Sequence, residues 1–271
     1  MHANVLFEKI RAGKVVLGLG NMYPAPGIIE GMCKGWDFVW IDGQHGQLTL
    51  DSSLHALRAA SAIGIDTVLR VPGHEYGILG PFADLAPSAV MVPMVNDAKQ
   101  AENVVRGLRF PPLGERSYGG RRVIDVGGRE YYREREMIIV AQIETFEAVE
   151  NADQIAATQG IDALFFGPDD MKVRMEIDIN ASAVDNKQLR GAMEQTAKVA
   201  RAAGKACGTV APSVKAFQIA VDMGYQIVVG GADVMFLRAA SARMLSDLHA
   251  TLKEVSASGT DADSGGGVYG R

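Results

Sequence analysis

Two carboxylates in the sequence end short apolar runs and could bind a cation together. Glu144 ends the run that starts at Ile138, and Asp170 ends the run that starts at Ala163. If these runs are adjacent strands, whose backbones lie about 4.8 Å apart, the two carboxylates can share one ion. Without added cysteine or histidine ligands, such a pair suits Mg²⁺ or Mn²⁺, with Co²⁺ as a further option, and not structural Zn²⁺. The alternative is that each carboxylate caps a helix, the role that we assign to Asp169.

A possible acid–base pair follows the apolar run that ends at Ile41. Asp42 and His45 are three residues apart, and a neighbouring aspartate can set the tautomer of an imidazole and raise its basicity. The pair therefore predicts general acid–base catalysis. In the competing interpretation Asp42 caps a turn and His45 is a surface residue.

Arg70 ends a run that is otherwise apolar. Burial of a guanidinium without an anionic partner costs several kcal/mol. We therefore expect Arg70 to contact either the metal-binding carboxylates or a substrate oxyanion. Further anion contacts could come from main-chain N–H groups of the Gly167–Asp170 turn and from a lid that carries Arg109, Arg121 and Arg122, for which a solvated loop is the equally good alternative.

The elements that must position these residues alternate along the chain. Apolar runs typical of strands occupy Val15–Gly20, Phe38–Gln44, Thr67–Pro72, Ala89–Val95, Ile138–Thr145, Ala163–Asp170, Ala206–Ala211 and Ile227–Val234. Segments with helical spacing of apolar residues occupy Ser52–Ile63, Ala98–Leu108, Phe146–Thr158, Leu189–Ala203, Val214–Met223 and Phe236–Leu252. Strict alternation predicts a parallel sheet, and eight units favour an α/β fold with a single (β/α)8 TIM barrel over an open sheet. The active site of such a barrel lies at the carboxyl ends of its strands, where these polar residues would meet.

The predicted barrel covers residues 1–255, and residues 256–271 are expected to form a disordered tail because they are rich in Gly, Ser and Asp. The stretch Phe110–Glu136 interrupts the alternation and is a candidate functional loop.

Composition narrows the function classes. The chain has 271 residues, with 27 Lys and Arg against 32 Asp and Glu, a formal net charge of -5. This balance disfavours a nucleic-acid partner held by phosphate contacts. No apolar run reaches the roughly 18 residues that cross a membrane, and the first residues lack the layout of a signal peptide, so we expect a cytoplasmic protein without a membrane partner. The spacing of Cys33 and Cys207 predicts small buried hydrophobes and no disulfide framework or zinc site.

Seven ordered motifs resemble the HpcH/HpaI aldolase family, the metal-dependent class II pyruvate aldolases that include 4-hydroxy-2-oxoheptanedioate and 2-dehydro-3-deoxyglucarate aldolases. The motifs are FVWIDGQH at Phe38–His45, VLRVP at Val68–Pro72, VMVPMVN at Val90–Asn96, RFPPLG at Arg109–Gly114, AQIET at Ala141–Thr145, FGPDDM at Phe166–Met171 and GGADV at Gly230–Val234. The sequence departs from the family at Gln44, where the family has an acidic residue before the histidine.

The resemblance implies a role for each candidate residue. Metal binding falls to Glu144 and Asp170, and acid–base catalysis to Asp42 and His45. Arg70 would bind the substrate through its keto or enolate oxygen, and Gln142 would line the site beside the metal. The turn formed by Gly167, Pro168 and Asp169 would also bind the substrate, because its amides would hold the carboxylate. Asp84 would reach the site of a neighbouring subunit, because the family assembles as homo-oligomers, in particular hexamers built as trimers of dimers.

The resemblance implies an aldol lyase. It would reversibly cleave 4-hydroxy-2-oxo acids to pyruvate, or a related 2-oxo acid, and an aldehyde through a metal-stabilised enolate. The alternatives are a CoA-thioester carbon–carbon lyase or oxaloacetate decarboxylase on the same barrel, and a non-catalytic carboxylate-binding protein.

Overall fold

The structure is a computed structural model that describes residues 5–134 and 137–260. Eight parallel strands close into a barrel in sequence order, and β8 pairs with β1. The strands are β1 (Val16–Asn21), β2 (Phe38–Asp42), β3 (Asp66–Arg70), β4 (Ala89–Val92), β5 (Ile138–Ile143), β6 (Ala163–Phe166), β7 (Ala206–Val210) and β8 (Ile227–Ala232). The predicted (β/α)8 TIM barrel is confirmed.

Most strands end earlier than the sequence predicts. β2 ends at Asp42, two residues before the predicted end, and β6 ends at Phe166, four residues before it. The chain turns at Gly43 and at Gly167, and Pro168 then starts a helix at a position where its missing N–H is not needed. The chemistry-bearing residues therefore lie at the ends of strands or just beyond them.

Helices precede, separate and follow the strands along the chain. They are α1 (Val5–Arg11), α2 (Pro26–Met32), α3 (Leu50–Ile63), α4 (Tyr76–Ala83), α5 (Ala98–Leu108), α6 (Arg121–Gly127), α7 (Tyr131–Glu134), α8 (Phe146–Glu150), α9 (Ala152–Ala157), α10 (Pro168–Arg174), α11 (Lys187–Ala202), α12 (Val214–Met223) and α13 (Asp233–Thr260). The side chains of Thr49 and Asp97 cap α3 and α5 by accepting first-turn N–H groups. The single helix predicted for Phe146–Thr158 is divided into α8 and α9 at Asn151.

The candidate functional loop contains α6 and α7, and its residues 135 and 136 lie outside the described residues. The three arginines predicted for a lid have partners within the chain. Arg109 donates to Asp162 and to the carbonyl oxygens of Met137 and Gly160. Arg122 donates to main-chain carbonyl oxygens, and Arg121 pairs with a neighbouring aspartate on α6. These contacts favour a structural role over an anion-attracting lid.

Side chains that point into the barrel form a core of their own. Along β2, Phe38 and Trp40 belong to this interior core, whereas Val39 and Ile41 pack outward against the helices. This alternation follows from the two-residue period of a strand. Leu6 of α1 joins the interior core. Both cysteines are free and buried, as predicted.

The chain divides into two compact units, residues 1–233 and 234–271. The second unit is described as far as Thr260, and within it α13 continues past residue 256, where the sequence predicted a tail. The rest of the predicted tail, residues 261–271, lies outside the described residues. No helix in the described part of the chain is long and apolar enough to cross a membrane.

Candidate active site

Two charged residues meet where β2 and β3 end. Asp42 and Arg70 are direct partners in the register of the two strands. Arg70 Nε donates to Asp42 Oδ1 at 2.9 Å, and Arg70 Nη2 donates to Asp42 Oδ2 at 2.5 Å. The side chains are 7% and 0% exposed, so water screens this bidentate pair very little.

The main chain completes the environment of Asp42. Its Oδ1 also accepts the N–H groups of Gln44 and His45, at 3.0 and 3.2 Å. Burial acts to raise the pKa of Asp42, but the hydrogen bonds and charge of Arg70 and these two N–H groups together hold that pKa below its usual range. Asp42 is therefore ionised at neutral pH.

This arrangement differs from the two expectations for these residues. The anionic partner of Arg70 within the protein is Asp42 and not the predicted metal-binding carboxylates, because the register brings Asp42 within reach of the guanidinium. The Asp42 carboxylate accepts the main-chain N–H of His45. His45 itself is an exposed residue. The acid–base dyad therefore stays a prediction.

Gln142 connects Arg70 to the carboxylate pair. Its Oε1 accepts from Arg70 Nη1 at 3.4 Å, and its Nε2 donates to Glu144 Oε2 at 2.6 Å. The other oxygen of Glu144 accepts the main-chain N–H of Met94 at 2.9 Å. A continuous polar network thus crosses the barrel mouth from β2 to β5.

Glu144 and Asp170 lie close enough to interact strongly. Burial, and after it the charge of Asp170, raises the pKa of Glu144 to about 7, against the lowering effects of the Met94 N–H and of Arg70. A carboxylate whose ionisation is opposed by a second carboxylate nearby can form with it a donor pair for a divalent cation. Within the described ranges, no group of three or more Asp, Glu, His or Cys side chains could hold a metal ion. The candidate metal site therefore consists of two carboxylates.

Asp169 and Asp170 are adjacent in the first turn of α10. The predicted capping role of Asp169 is wrong, because Gly167 occupies the N-cap position, and the exposed Asp169 side chain pairs instead with Lys172 at 2.9 Å. Gly167 precedes the helix without a side-chain cap. A Cβ at Gly167 would lie 2.7 Å from Glu144 Oε2 and 2.9 Å from Gln142 Nε2, so only glycine leaves room for this packing.

Asp84 follows α4 and pairs with Arg116 at 2.8 Å. The Arg116 side chain is buried, whereas Asp84 is partly exposed. The guanidinium of Arg116 also lies over the ring of Phe110, 4.9 Å from its centroid. Asp84 therefore has a partner within its own chain, and its predicted contact with a neighbouring subunit is not tested by this geometry.

A cleft of about 540 Å³ lies beside Glu144. Its lining residues are Met94, Asn96, Thr145, Phe146, Glu147 and Arg174. Met94 connects the cleft to the network, because it lines the cleft and its main-chain N–H donates to Glu144. Met94 has a φ of 56°, a left-handed conformation that is uncommon for a residue with a side chain.

Two aromatic residues of the interior core lie beneath the network. The guanidinium carbon of Arg70 is 4.7 Å from the centroid of the Trp40 ring. Trp40 in turn contacts Phe165, with ring centroids 5.9 Å apart. Sequence reasoning missed Trp40, although its position two residues before Asp42 on the same strand places it on the same inward face.

Comparison with known proteins identifies close relatives. A curated relative named 4-hydroxy-2-oxovalerate aldolase, from Novosphingobium aromaticivorans, is 38% identical over 231 residues, which are 83% of this chain and 86% of the relative. A hydroxypyruvate/pyruvate aldolase from Delftia acidovorans is 30% identical over 92% of this chain and 94% of its own length. A crystal structure of an HpcH/HpaI aldolase/citrate lyase family protein from Burkholderia cenocepacia has a TM-score of 0.83 and 26% identity, covering 91% of this chain and 100% of its own.

The family model for HpcH/HpaI aldolase/citrate lyase matches residues 28–240, a range that includes the whole polar network. The relatives are named as aldolases, which confirms the expected pyruvate-aldolase type of function and the carbon–carbon lyase class. On this match and these identities, the chain belongs to the HpcH/HpaI aldolase/citrate lyase family.

Proposed function

We propose that the protein cleaves 4-hydroxy-2-oxo acids to pyruvate and an aldehyde at the mouth of the barrel, by metal-dependent aldol chemistry. The observation that carries the proposal is the network from Asp42 through Arg70 and Gln142 to Glu144. The network joins the guanidinium of Arg70 to the pair formed by Glu144 and Asp170. A positive charge and a metal-binding carboxylate pair are the two features that would stabilise a 2-oxo acid and its enolate.

The carboxylate pair fits a divalent cation. Glu144 Oε2 and Oε1 are held by Gln142 and Met94, and the charge of Asp170 opposes ionisation of Glu144 until a cation compensates it. Glu144 and Asp170 would hold Mg²⁺ or Mn²⁺, leaving other positions to water and substrate oxygens. When bound, such a cation supplies a Lewis acid that polarises the 2-oxo group.

The chain's own residues then divide the work. First-turn N–H groups of α10, which the Gly167–Pro168–Asp169 turn leaves without a side-chain cap, bind the substrate carboxylate. Arg70 stabilises the charge that develops on the enolate oxygen. As the C3–C4 bond breaks, His45 takes the 4-hydroxyl proton, and the electron pair enters the enolate. Return of a proton to C3 gives pyruvate.

Decarboxylation of oxaloacetate is a second candidate activity of the same site. It produces the same enolate by loss of CO₂ and needs no base for a hydroxyl proton. The exposed position of His45, whose main chain contacts Asp42, favours this activity as one that proceeds without the acid–base dyad.

Deuterium exchange into the methyl group of pyruvate tests the proposal, since enolisation does not require the aldehyde to be known. Exchange measured by NMR should need Mg²⁺ or Mn²⁺, stop with a chelator, and be lost in Glu144→Gln. The matched control is Glu150→Gln, an exposed glutamate on α8 that should exchange at the wild-type rate. Metal-independent exchange, or equal rates in the two variants, would refute the assignment.

We also propose that the chain forms a homo-oligomer, with a hexamer built as a trimer of dimers as the expected form. Support comes from α13, on which large apolar side chains are exposed at helical spacing: Leu237, Met244, Leu245, Leu248, Leu252 and Val255. In such an assembly Asp84 would approach a neighbouring copy's site. Light scattering after size exclusion should give a mass near six chains, and a monomeric mass would refute the proposal.

A further inference from the structure

Trp40 contacts a charged group that the proposed reaction uses. Its ring lies under Arg70, with the guanidinium carbon 4.7 Å from the ring centroid. This distance is within the roughly 6 Å at which a guanidinium is attracted to the face of an indole, and tryptophan is the aromatic residue that binds cations best in this way.

The surroundings fix the ring in this position. Trp40 belongs to the interior core and packs against Phe165. Trp40 as a whole is 8% exposed, so it borders the site while most of its surface is covered. Because core side chains are packed as densely as organic crystals, the indole has little freedom to move away from the guanidinium.

The contacts of Arg70 are directional and leave one face to be supported. Asp42 holds Nε and Nη2 along one edge of the guanidinium, and Gln142 accepts from Nη1. All of these hydrogen bonds lie near the guanidinium plane, as its fixed donor geometry demands. Trp40 supplies the contact against the face, which hydrogen bonds do not provide.

The indole N–H gives a second, independent observation. Trp40 Nε1 is buried and has no hydrogen-bond partner among the described residues. A buried donor without a partner is destabilising, and an apolar residue such as leucine would avoid that cost. The contribution of the indole here therefore comes from the contacts of its ring and not from a hydrogen bond.

We propose that Trp40 is a positioning residue: its ring, packed against the face of the Arg70 guanidinium, keeps that group oriented toward the enolate oxygen. This inference rests on the proposed substrate role of Arg70. Loss of the ring leaves the charge of Arg70 and its pair with Asp42 in place but lets the guanidinium tilt. The loss should therefore weaken the binding of enolate-like ligands more than it weakens folding.

The test compares Trp40→Leu, Trp40→Phe and Phe38→Leu in the full-length protein loaded with Mg²⁺. Phe38 is the matched control, because it is a buried aromatic residue on the inward face of the same strand, two residues deeper. The probe is oxalate, a planar dianion that resembles the pyruvate enolate, titrated by calorimetry. Trp40→Leu should bind oxalate roughly 2- to 30-fold more weakly. Trp40→Phe should recover part of the affinity, and Phe38→Leu should stay within about twofold of wild type.

An Arg70→Met background separates this inference from the proposal beneath it. If Arg70→Met alone binds oxalate as tightly as wild type, the substrate role of Arg70 fails. If Arg70→Met weakens binding but Trp40→Leu behaves like Phe38→Leu, only the inference about Trp40 fails. A further loss of affinity from Trp40→Leu in the Arg70→Met background would also overturn it, because Trp40 would then act without Arg70.

A spectroscopic measurement keeps the inference testable if Trp40→Leu does not fold. The chain has two tryptophans, so Trp36→Phe leaves Trp40 as the single indole emitter. Its emission should change when Arg70 is replaced by methionine and again when oxalate binds. An emission spectrum that both changes leave unaltered would overturn the proposed contact.

Discussion

Replacing Asp42 with asparagine tests the buried pair at the centre of the site. The carboxylate of Asp42 is fully buried and accepts four hydrogen bonds, two from Arg70 and one each from the N–H groups of Gln44 and His45. Asparagine offers one acceptor oxygen and no charge. The variant therefore leaves the guanidinium buried without a counter-ion.

The expected cost follows from that loss. Breaking a buried ion pair by removing one partner destabilises a protein by about 3–5 kcal/mol, because an uncompensated charge stays in the interior. For a domain of this size the cost corresponds to a fall in Tm of about 6–20 °C. The matched control is Asp125→Asn, which removes the carboxylate from an exposed arginine pair on α6 and should leave the Tm unchanged within error.

The assay is thermal unfolding followed by circular dichroism at several pH values. Because the pKa of Asp42 is lowered in the folded protein, the stability it contributes is present above the unfolded pKa of about 3.9 and is lost as pH falls through the lower folded value. The gap between wild type and Asp42→Asn should thus be full at pH 7 and shrink below about pH 4. A Tm for Asp42→Asn within 2 °C of wild type at pH 7 would refute the argument that Arg70 depends on this counter-ion.

Three further outcomes are expected. Gly167→Ala should weaken Mn²⁺ binding at least tenfold, because the added Cβ would displace Glu144. The control Gly191→Ala, in α11, places its Cβ in open space and should bind Mn²⁺ as wild type does. Titration followed by electron paramagnetic resonance measures both affinities. The Kd for Mn²⁺ should fall about tenfold per pH unit up to pH 7 and level off above it, because Glu144, with a pKa of about 7, must lose its proton to bind the ion. A Kd that does not change between pH 5 and 7 would contradict this. Exchanging Leu245 and Leu248 for serine should lower the mass seen by light scattering, and an unchanged mass would show that these residues do not form the interface.

The alternation of apolar runs was enough to predict the barrel. Each of the eight predicted runs became a strand, because parallel strands are buried on both faces and so read as continuous apolar segments. Short helices were harder to predict. α2 and α10 have seven residues each and start at a proline, so they carry too few apolar positions to display helical spacing.

The site was predicted in its residue types but not in its pairings. Asp42, Arg70, Gln142 and Glu144 were all expected at strand ends, and their side chains meet there. The partner of Arg70 was missed because it depends on the register between β2 and β3, and one sequence does not contain that register. Trp40 was missed because apolar residues two positions before a strand end are ordinarily core.

The direct register between Asp42 and Arg70 determines when the charges of the site become ordered. Both residues belong to barrel strands, and Trp40 lies on β2, so we expect the guanidinium to meet its partners as β2 and β3 pair and not when a ligand arrives. Ligand binding then requires little reorganisation of the Asp42–Arg70 pair. Charges that are already in place lower a reaction barrier most, because no energy is spent on moving them. It follows that heating should preserve the alignment of Arg70 until the barrel itself melts. Loss of activity on heating should therefore coincide with loss of the sheet.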